Sequence, residues 1–579
     1  MGSSPSLEPK TTSKLVGNKV FQETSIMMYP RKSKRKLFLF IALVLIVLAL
    51  ATTTTLLSLI YIQPYRTILR TRGTVLSGFN LTLKSFPNPS KGNQSVAISG
   101  RLVDVTATAS QQRSVVIHYS KNLLKWEFLS EVVTDYAGDF SLIWKPSQKG
   151  QLYIRANATG KVVILEHVVA DYIVAQDGRG DFANIQTAIS TLSHAGGTIF
   201  VKNGTYLMDE RVVISNKSNV VLIGDGYNAK LTKSWGMIFR IENVTNLTIR
   251  KLHFHHLTNN YYEAISVKGF NDGITIDACW FTRDVGSLGN YIDLVFFDPD
   301  GATKNLQIKN SYFRDAQIDA LAIKKVTGGI IENNTIIDAA TNTVNGLGSG
   351  MTIEGSSNLT IKGNYIKRTG NQSMGGVNIF GDSKHIFVEG NTIMNVEWGV
   401  HLHRVSNVSI ENNIIIDPFS SGVHSTETWD VSIKDNRIEQ VEFDRKVIGV
   451  FLFNNSKTTL IQNTIKNTHS GIVILNSSWT IVSSSLIDIG AQTSIAKGYG
   501  VLVYQSSNTD INNNTITRSY GIGVSISRST RTTVHSNIIA ENMRSGVRLL
   551  LSNNSMVVQN ILKNNGIDFQ PIIPEVESA

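Results

Sequence analysis

One cysteine, Cys279, stands alone in a chain of 579 residues. An internal disulfide is thereby excluded, and with it a small cysteine-stapled fold. Charge is sparse as well, at 17% of residues, and its basic excess of +11 is unevenly spread. Residues 1–36 hold eight basic and two acidic side chains, which alone supply +6. A basic tail of that kind reads as the flank of a membrane segment, and nucleic acid is not indicated as a partner. The chain also lacks a phosphate-binding glycine loop, and from about Ile249 onward it lacks any ten-residue amphipathic helix. Helical and leucine-rich solenoids are therefore excluded for that region.

What fills the region is one short phrase repeated. Glu332-Asn333-Asn334-Thr335-Ile336 returns as Lys362-Gly363-Asn364-Tyr365-Ile366 and as Glu389-Gly390-Asn391-Thr392-Ile393. It recurs around Asn413, Asn436, Asn463, Asn514, Asn537 and Asn560, in steps of 30, 27, 22, 23, 27, 51, 23 and 23 residues. The step of 51 hides a coil whose asparagine is Ser485, and the same slot runs backward through Ser311, Cys279 and Leu252. About thirteen turns result. Each carries short alternating runs, such as Val400-His401-Leu402 and Val408-Ser409-Ile410, split by Asn, Gly and Ser. That pattern predicts an all-β chain built on a right-handed parallel β-helix, its stacked asparagines satisfying buried turn backbone. Cys279, in the ladder, is expected to be a buried structural thiol.

Along the chain, residues 1–36 read as a disordered basic cytoplasmic tail. Leu37 to Ile62 is apolar except for Thr52–Thr55 and Ser58, long enough for a transmembrane anchor. Arg31, Lys32, Lys34, Arg35 and Lys36 precede it, whereas Arg66, Arg70 and Arg72 follow more thinly. The bias places a single-pass protein in the cell membrane, N-terminus inside and β-helix outside. A cleaved signal peptide, starting at Met27 or Met28 and cut near Ala49 or Ala51, is the alternative. Asn-x-Ser/Thr triplets at Asn80, Asn93 and Asn157, outside the repeats, suit a glycoprotein in that exterior position. After a linker over 63–77, residues 78–168 show Val96–Val103, Trp126–Phe128, Thr134–Phe140 and Tyr153–Ala156 as alternating runs and turn clusters. This segment resembles the immunoglobulin-like domains of microbial surface proteins, which implies a β-sandwich spacer.

Residues 171–569 form the large expected domain, with 570–579 as a loose tail. Tyr172 to Phe182 precedes Ile185, Ala188, Ile189 and Leu192, whose spacing predicts a short helix capping the open end of the solenoid. Together with Gly196–Val201 and Gly204-Thr205-Tyr206, this opening resembles the pectate lyase and pectin esterase superfamily. The resemblance implies the fold more strongly than a reaction.

Stacking the coils on the ladder gives two outward columns. One is expected to read Ser266, Val295, Ala322, Thr352, Asn378, His401, His424, Phe451, Val473. The other reads Lys268, Phe297, Lys324, Glu354, Phe380, His403, Thr426, Phe453, Leu475, Tyr504, flanked by Asp298, Lys325, Arg404 and Glu427. Mixed cations, acids, histidines and aromatic rings on one long strip suit an extended acidic polysaccharide or cell-surface glycan. Phe297-Asp298-Pro299-Asp300, with Asp319-Ala320 and Gly329–Asn334, resembles mannuronan C5-epimerases, whose motif is Tyr-Gly-Phe-Asp-Pro-His. The family's aspartate and proline fall on Asp298 and Pro299, its tyrosine on Val295 and its histidine on Asp300. Both proton-transfer groups of the motif are thus replaced. The polygalacturonase Asp-Asp and Gly-His-Gly signatures are absent.

The function expected is that of a membrane-anchored extracellular protein that binds or processes acidic polysaccharide, of lyase or epimerase type. Asp298, Asp300, His401, His424 and Lys324 are the candidates for chemistry. Lys268, Lys325, Glu354, Phe380, His403, Arg404 and Glu427 are the candidates for substrate contact. His253, His255 and His256 lack an accompanying acid or Cys motif, so no metal site is assigned; calcium stays open. The alternative is a non-catalytic structural or adhesive surface protein, its charges being solvated cross-strand pairs.

Overall fold

The side-chain amide of Asn334 donates to the Ile308 carbonyl at 2.9 Å and to Asn364 Oδ1 at 3.0 Å. The same Asn364 oxygen accepts the backbone N–H of Asn334 at 2.9 Å. This arrangement repeats through Asn364, Asn391, Asn413 and Asn436. Serine serves where only the N–H needs a partner: Asn463 donates to Ser485 Oγ, and Cys279 to Ser311 Oγ, both at 3.1 Å. The turn backbone is buried, and the ladder satisfies it. Burial also drives the Cys279 thiol up to about 12, which keeps it protonated.

The computed structural model describes residues 78–257, 262–284, 293–339, 348–368, 375–441, 445–490 and 498–572. Residues 1–36, 37–62 and 63–77, the expected tail, anchor and linker, lie outside them. Among the described residues no helix is long and apolar enough to cross a membrane.

Three parallel sheets wind together. The first has sixteen strands starting at Tyr172–Val174; the second and third have fifteen each, starting at Gly204–Leu207 and Val212–Ser215. The sheets thus reach back beyond Leu252, the earliest slot legible in the repeat. Register is kept residue for residue: Ile308, Ile331, Ile361, Val388 and Ile410 stack in one inward column, each completely buried. Phe254, Phe281 and Phe313 stack in another, with centroids 4.9 and 4.8 Å apart and planes 5° and 2° from parallel. The coil spacing of a parallel sheet sets that distance. Bends between strands use left-handed backbone, mostly at Asn, Asp and Gly, the residues that tolerate it.

Helix α1, Ile185–Thr191, lies over the first coil. Asn184 caps it by accepting the N–H groups of Gln186 and Thr187, and Ile185, Ala188 and Ile189 are buried in the solenoid core. At the far end the last strand, Ile567–Ile572, runs through the first residues of the expected tail; residues 573–579 lie outside the described set.

Residues 79–170 form a four-stranded and a five-stranded sheet around one apolar core containing Val96, Ile98, Leu102, Ile117, Phe140 and Ile154. Val168 and Ala170 pack on Phe200 and Ile223, on the outer face of the first solenoid sheet. Ion pairs Lys91–Asp181, Lys149–Asp171 and Lys251–Glu166 tie the two parts together. Residues 79–170 are therefore docked along the solenoid's flank through both apolar and charged contacts.

Candidate functional site

The outward face of the third sheet carries the strip, with one change of parity. Val295 and Phe297 are 0% and 1% exposed and belong to the core. Phe296 takes the place expected of Val295, paired between Ser266 and Ala322. Asp298 follows Phe297 on the outward side, where its carboxylate meets Lys268 at 2.7 Å. A one-residue slip exchanges the two faces of a strand. The other coils stand as expected: Ala322, Thr352, Asn378, His401, His424 and Phe451 form one column. In the second column Lys324, Glu354 and Phe380 are successive, and so are His403, Thr426 and Phe453.

Two groups of side chains emerge. Toward the C-terminal coils the rings touch: Phe380 meets His401 edge-on at 5.3 Å, His401 meets His424 at 5.1 Å, and His424 stacks on Phe451 at 4.7 Å. Trp398 closes over His401 at 4.8 Å. Burial pushes the His401 imidazole down to about 4, helped by His424 and His403, and burial also lowers His424. Both rings are accordingly neutral near pH 7. His403 Nδ1 lies 2.9 Å from Thr426 Oγ1, and Arg404 pairs with Glu427 at 2.7 Å on an exposed corner.

Toward the N-terminal coils the strip is ionic. Lys268 pairs with Asp298, and Lys324 with Glu354 at 3.0 Å; the Lys324 ammonium also stands 5.7 Å from the Phe296 ring. Asp298 accepts the N–H of Asp300 at 2.9 Å, and Asp300 itself is exposed. Lys325 occupies a left-handed corner and is exposed.

The acids that matter most at this end are ones the alternation of strands did not single out. Glu263, Asp293 and Asp319 lie five residues before Lys268, Asp298 and Lys324, where successive third-sheet strands begin. The backbones join coil to coil: Ala264 N–H reaches Leu294 O at 3.0 Å, Leu294 N–H reaches Asp319 O at 3.0 Å, and Asp319 N–H reaches Asp293 Oδ1 at 3.0 Å. Burial raises all three carboxyls, Asp293 to about 6 and Asp319 well above its ordinary value; Glu263 adds to the rise at Asp293, and Asp293 to that at Asp319. At Asp298 burial also pushes upward, but the Lys268 bond and charge, the Asp300 N–H and Lys324 outweigh it and hold that carboxyl low. Lys324 acts electrostatically on Asp293, Asp319 and Asp298 alike. Carboxyls pushed apart in this way within one neighbourhood can serve as proton donor and fixed anion. The available signal was the five-residue offset from each outward Lys or Asp.

Among the histidines of the second sheet, His255 Nε2 lies 3.3 Å from the exposed Asp284, an acid that the sequence pattern did not place there. His253 and His255 both meet Thr282 Oγ1, at 2.7 and 2.8 Å, and Tyr227 stacks on His253 at 4.3 Å.

A family profile described as "right handed beta helix region" matches residues 293–442 and 421–570, and one described as "pectinesterase" matches residues 171–248. A probable pectinesterase/pectinesterase inhibitor of Arabidopsis thaliana is 38% identical over 87 residues, 14% of this chain and 15% of that protein. A mannuronan C5-epimerase of Azotobacter vinelandii is 27% identical over 195 residues, 29% of this chain and 13% of the other. The chain thus spans only a small part of the curated relatives it matches. Among solved structures, the A-module of a second Azotobacter vinelandii mannuronan C-5 epimerase aligns with TM-score 0.37 and 17% identity, covering 69% of this chain and 94% of that one. A surface adhesin of Streptococcus pneumoniae aligns with TM-score 0.34 and 16% identity, covering 64% and 86%. Residues 172–572 form a right-handed parallel β-helix, matched over 293–570 by the β-helix profile, and parts of the chain are similar in sequence to pectinesterases and mannuronan C5-epimerases.

Proposed function

We propose that this protein binds an acidic polysaccharide lengthwise along the third sheet and abstracts a proton beside a uronate carboxylate at the coils of Asp293 and Asp319. The observation that carries the reading is the column Glu263, Asp293 and Asp319, the first two half-buried and the third buried, whose carboxyls are all raised beside Lys268 and Lys324. A carboxyl titrating at about 6 exchanges protons readily near neutral pH. Lys324 and Lys268 neutralise the uronate carboxylate, which lowers the cost of negative charge developing at C5. Asp293, ionised, takes the C5 proton. The carbanion then either expels the oxygen at C4, leaving a C4–C5 double bond, or regains a proton on the opposite face, inverting C5. The rings from Phe380 to Phe451 offer apolar faces on which further sugars pack. An uncleaved anchor at residues 37–62, with the solenoid outside the cell, belongs to the same proposal and puts the strip where polymeric glycans are met.

The test is incubation of the purified protein with alginate, pectate and hyaluronan. Ultraviolet absorbance follows unsaturated product, and proton NMR follows C5 inversion. Turnover that disappears in Asp293→Asn and in Lys324→Ala supports the reading. Binding without turnover on every polymer means an adhesive surface protein, and no binding at all removes the polysaccharide.

A further inference from the structure

A second face of the solenoid also has the chemistry of a binding site. On the outer side of the first sheet a groove of about 620 Å³ crosses the strands Trp429–Lys434, Ser456–Ile461, Ser478–Ser483 and Ser507–Asn512. Its size is that of a site for a small organic ligand. Trp479 and Ile481 line it, 60% and 41% exposed, and Trp429 at its margin is 44% exposed. Large rings left in water on one patch mark a surface that takes a partner.

The residues placed at the strand bends reinforce this. Each first-sheet strand from Ser218 onward bends at a left-handed residue, and the bends stack from Asn219 to Asn554. In that stack only His385, Lys457, Trp479 and Arg531 are not Asn, Asp or Gly. Left-handed backbone disfavours such side chains, whose Cβ then crowds the following carbonyl oxygen. Three of the four line this groove. Side chains held against local preference gather where a surface is used.

The lining alternates ring and charge. Lys457 stands 4.5 Å from the Trp429 ring, and His535 Nε2 lies 3.2 Å from Asp510. Arg531 is exposed and makes no ion pair among the described residues. A peptide's apolar face would need continuous hydrophobic surface, which this lining interrupts at every coil. A pyranose fits it better: its C–H face packs on an indole's electron-rich face, its hydroxyls donate to Asp430 and Asp510, and a uronate carboxylate meets Arg531 or Lys457. We propose that the groove is an accessory binding site for an acidic oligosaccharide, holding polymer on a face other than that of the third-sheet acids. It involves no bond-making step, and it stands whether or not those acids are catalytic.

Titrating the purified protein with oligogalacturonate, followed by tryptophan fluorescence, tests it beside a neutral oligoglucoside of equal length. Saturable binding of the acidic oligomer is expected, with Trp479→Asn and Arg531→Gln each weakening it at least about tenfold. Trp479→Asn supplies the residue the left-handed bend prefers, so the fold, checked by circular dichroism, is retained. Both groove variants are made on a Lys324→Ala background, in which the third-sheet strip is disabled, so the saturable binding that remains is the groove's and failure of the groove is distinguished from failure of the third-sheet reading. Wild-type affinity in Trp479→Asn, equal affinity for the neutral oligomer, or absence of saturable binding overturns the proposal.

Discussion

Raising the pH from about 4 to about 7 should cost this protein stability through Asp293, and Asp293→Asn should remove that cost. An ordinary aspartate releases its proton near 3.8, whereas burial delays release from Asp293 to about 6. Between those values the folded chain still holds a proton that the unfolded chain has lost. The stabilisation is complete below 3.8 and is lost as pH rises through about 6, opposite in sign to a salt-bridged carboxylate. At about 1.36 kcal/mol per pH unit, the displacement corresponds to about 3 kcal/mol. Asp319 shifts in the same direction and steepens the slope. Asparagine at 293 keeps an acceptor for the Asp319 N–H, 3.0 Å away, and has no proton to lose. The assay is urea unfolding of wild type and variant at a series of pH values and fixed ionic strength, followed by circular dichroism. Carboxylates shifted the other way, such as Asp298 and Asp488, are common to both proteins and drop out of the difference. The variant should gain on wild type progressively toward neutral pH while losing turnover. Parallel stability profiles would refute the reasoning, because Asp293 would then titrate alike in both states.

Other substitutions probe the scaffold and the ring cluster. Asn391→Ala strands the buried N–H of Asn364 and the carbonyl of Ile361, now bonded at 2.9 Å each; at about 1–3 kcal/mol per group the loss in urea unfolding should be about 2–6 kcal/mol. Asn391→Ser should cost less, since Ser485 already fills a ladder position. Phe281→Ala takes the middle ring from the three-phenylalanine stack and should cost about 3–5 kcal/mol in the same assay. His401→Phe keeps a ring where the imidazole is already neutral, so turnover and its pH profile should not change; loss of turnover would return a proton-moving role to His401.

The solenoid was legible because its ladder is written in one residue type. Asn334 to Asn560 are fixed by the same hydrogen bonds in coil after coil, so spacing alone revealed the period. The parity error arose where that grammar goes silent. Leu294-Val295-Phe296-Phe297 is apolar at every position, and alternation cannot show which side faces out. A second column, in which Ser356, Ser383, Asn455, Ser477 and Ser506 accept backbone N–H groups between the third and first sheets, went unread. Serine is too common in such turns to stand out. The histidines drew attention by residue type, whereas Glu263, Asp293 and Asp319 resemble ordinary surface acids until their burial is known. The docking of residues 79–170 depends on Val168, Ala170, Phe200 and Ile223, small or apolar residues common to strands of every kind.

The winding itself decides how the molecule would answer a pull. Its strands lie across the solenoid axis, so the hydrogen bonds between coils point along it. A load applied between the two ends falls on the bonds of one coil boundary at a time. Helix α1 covers the first coil, and the flanking sheets grip the outside nearby through Glu166 and Lys251. Among the described residues, the strand Ile567–Ile572 is paired with Ser545–Leu550 alone and carries no covering helix. Peeling there should advance in steps, the first two freeing 23 residues each, or roughly 80 Å of extended chain. Tension on a polymer held along the third sheet would then shorten the binding strip coil by coil, beginning at the end farthest from Asp293.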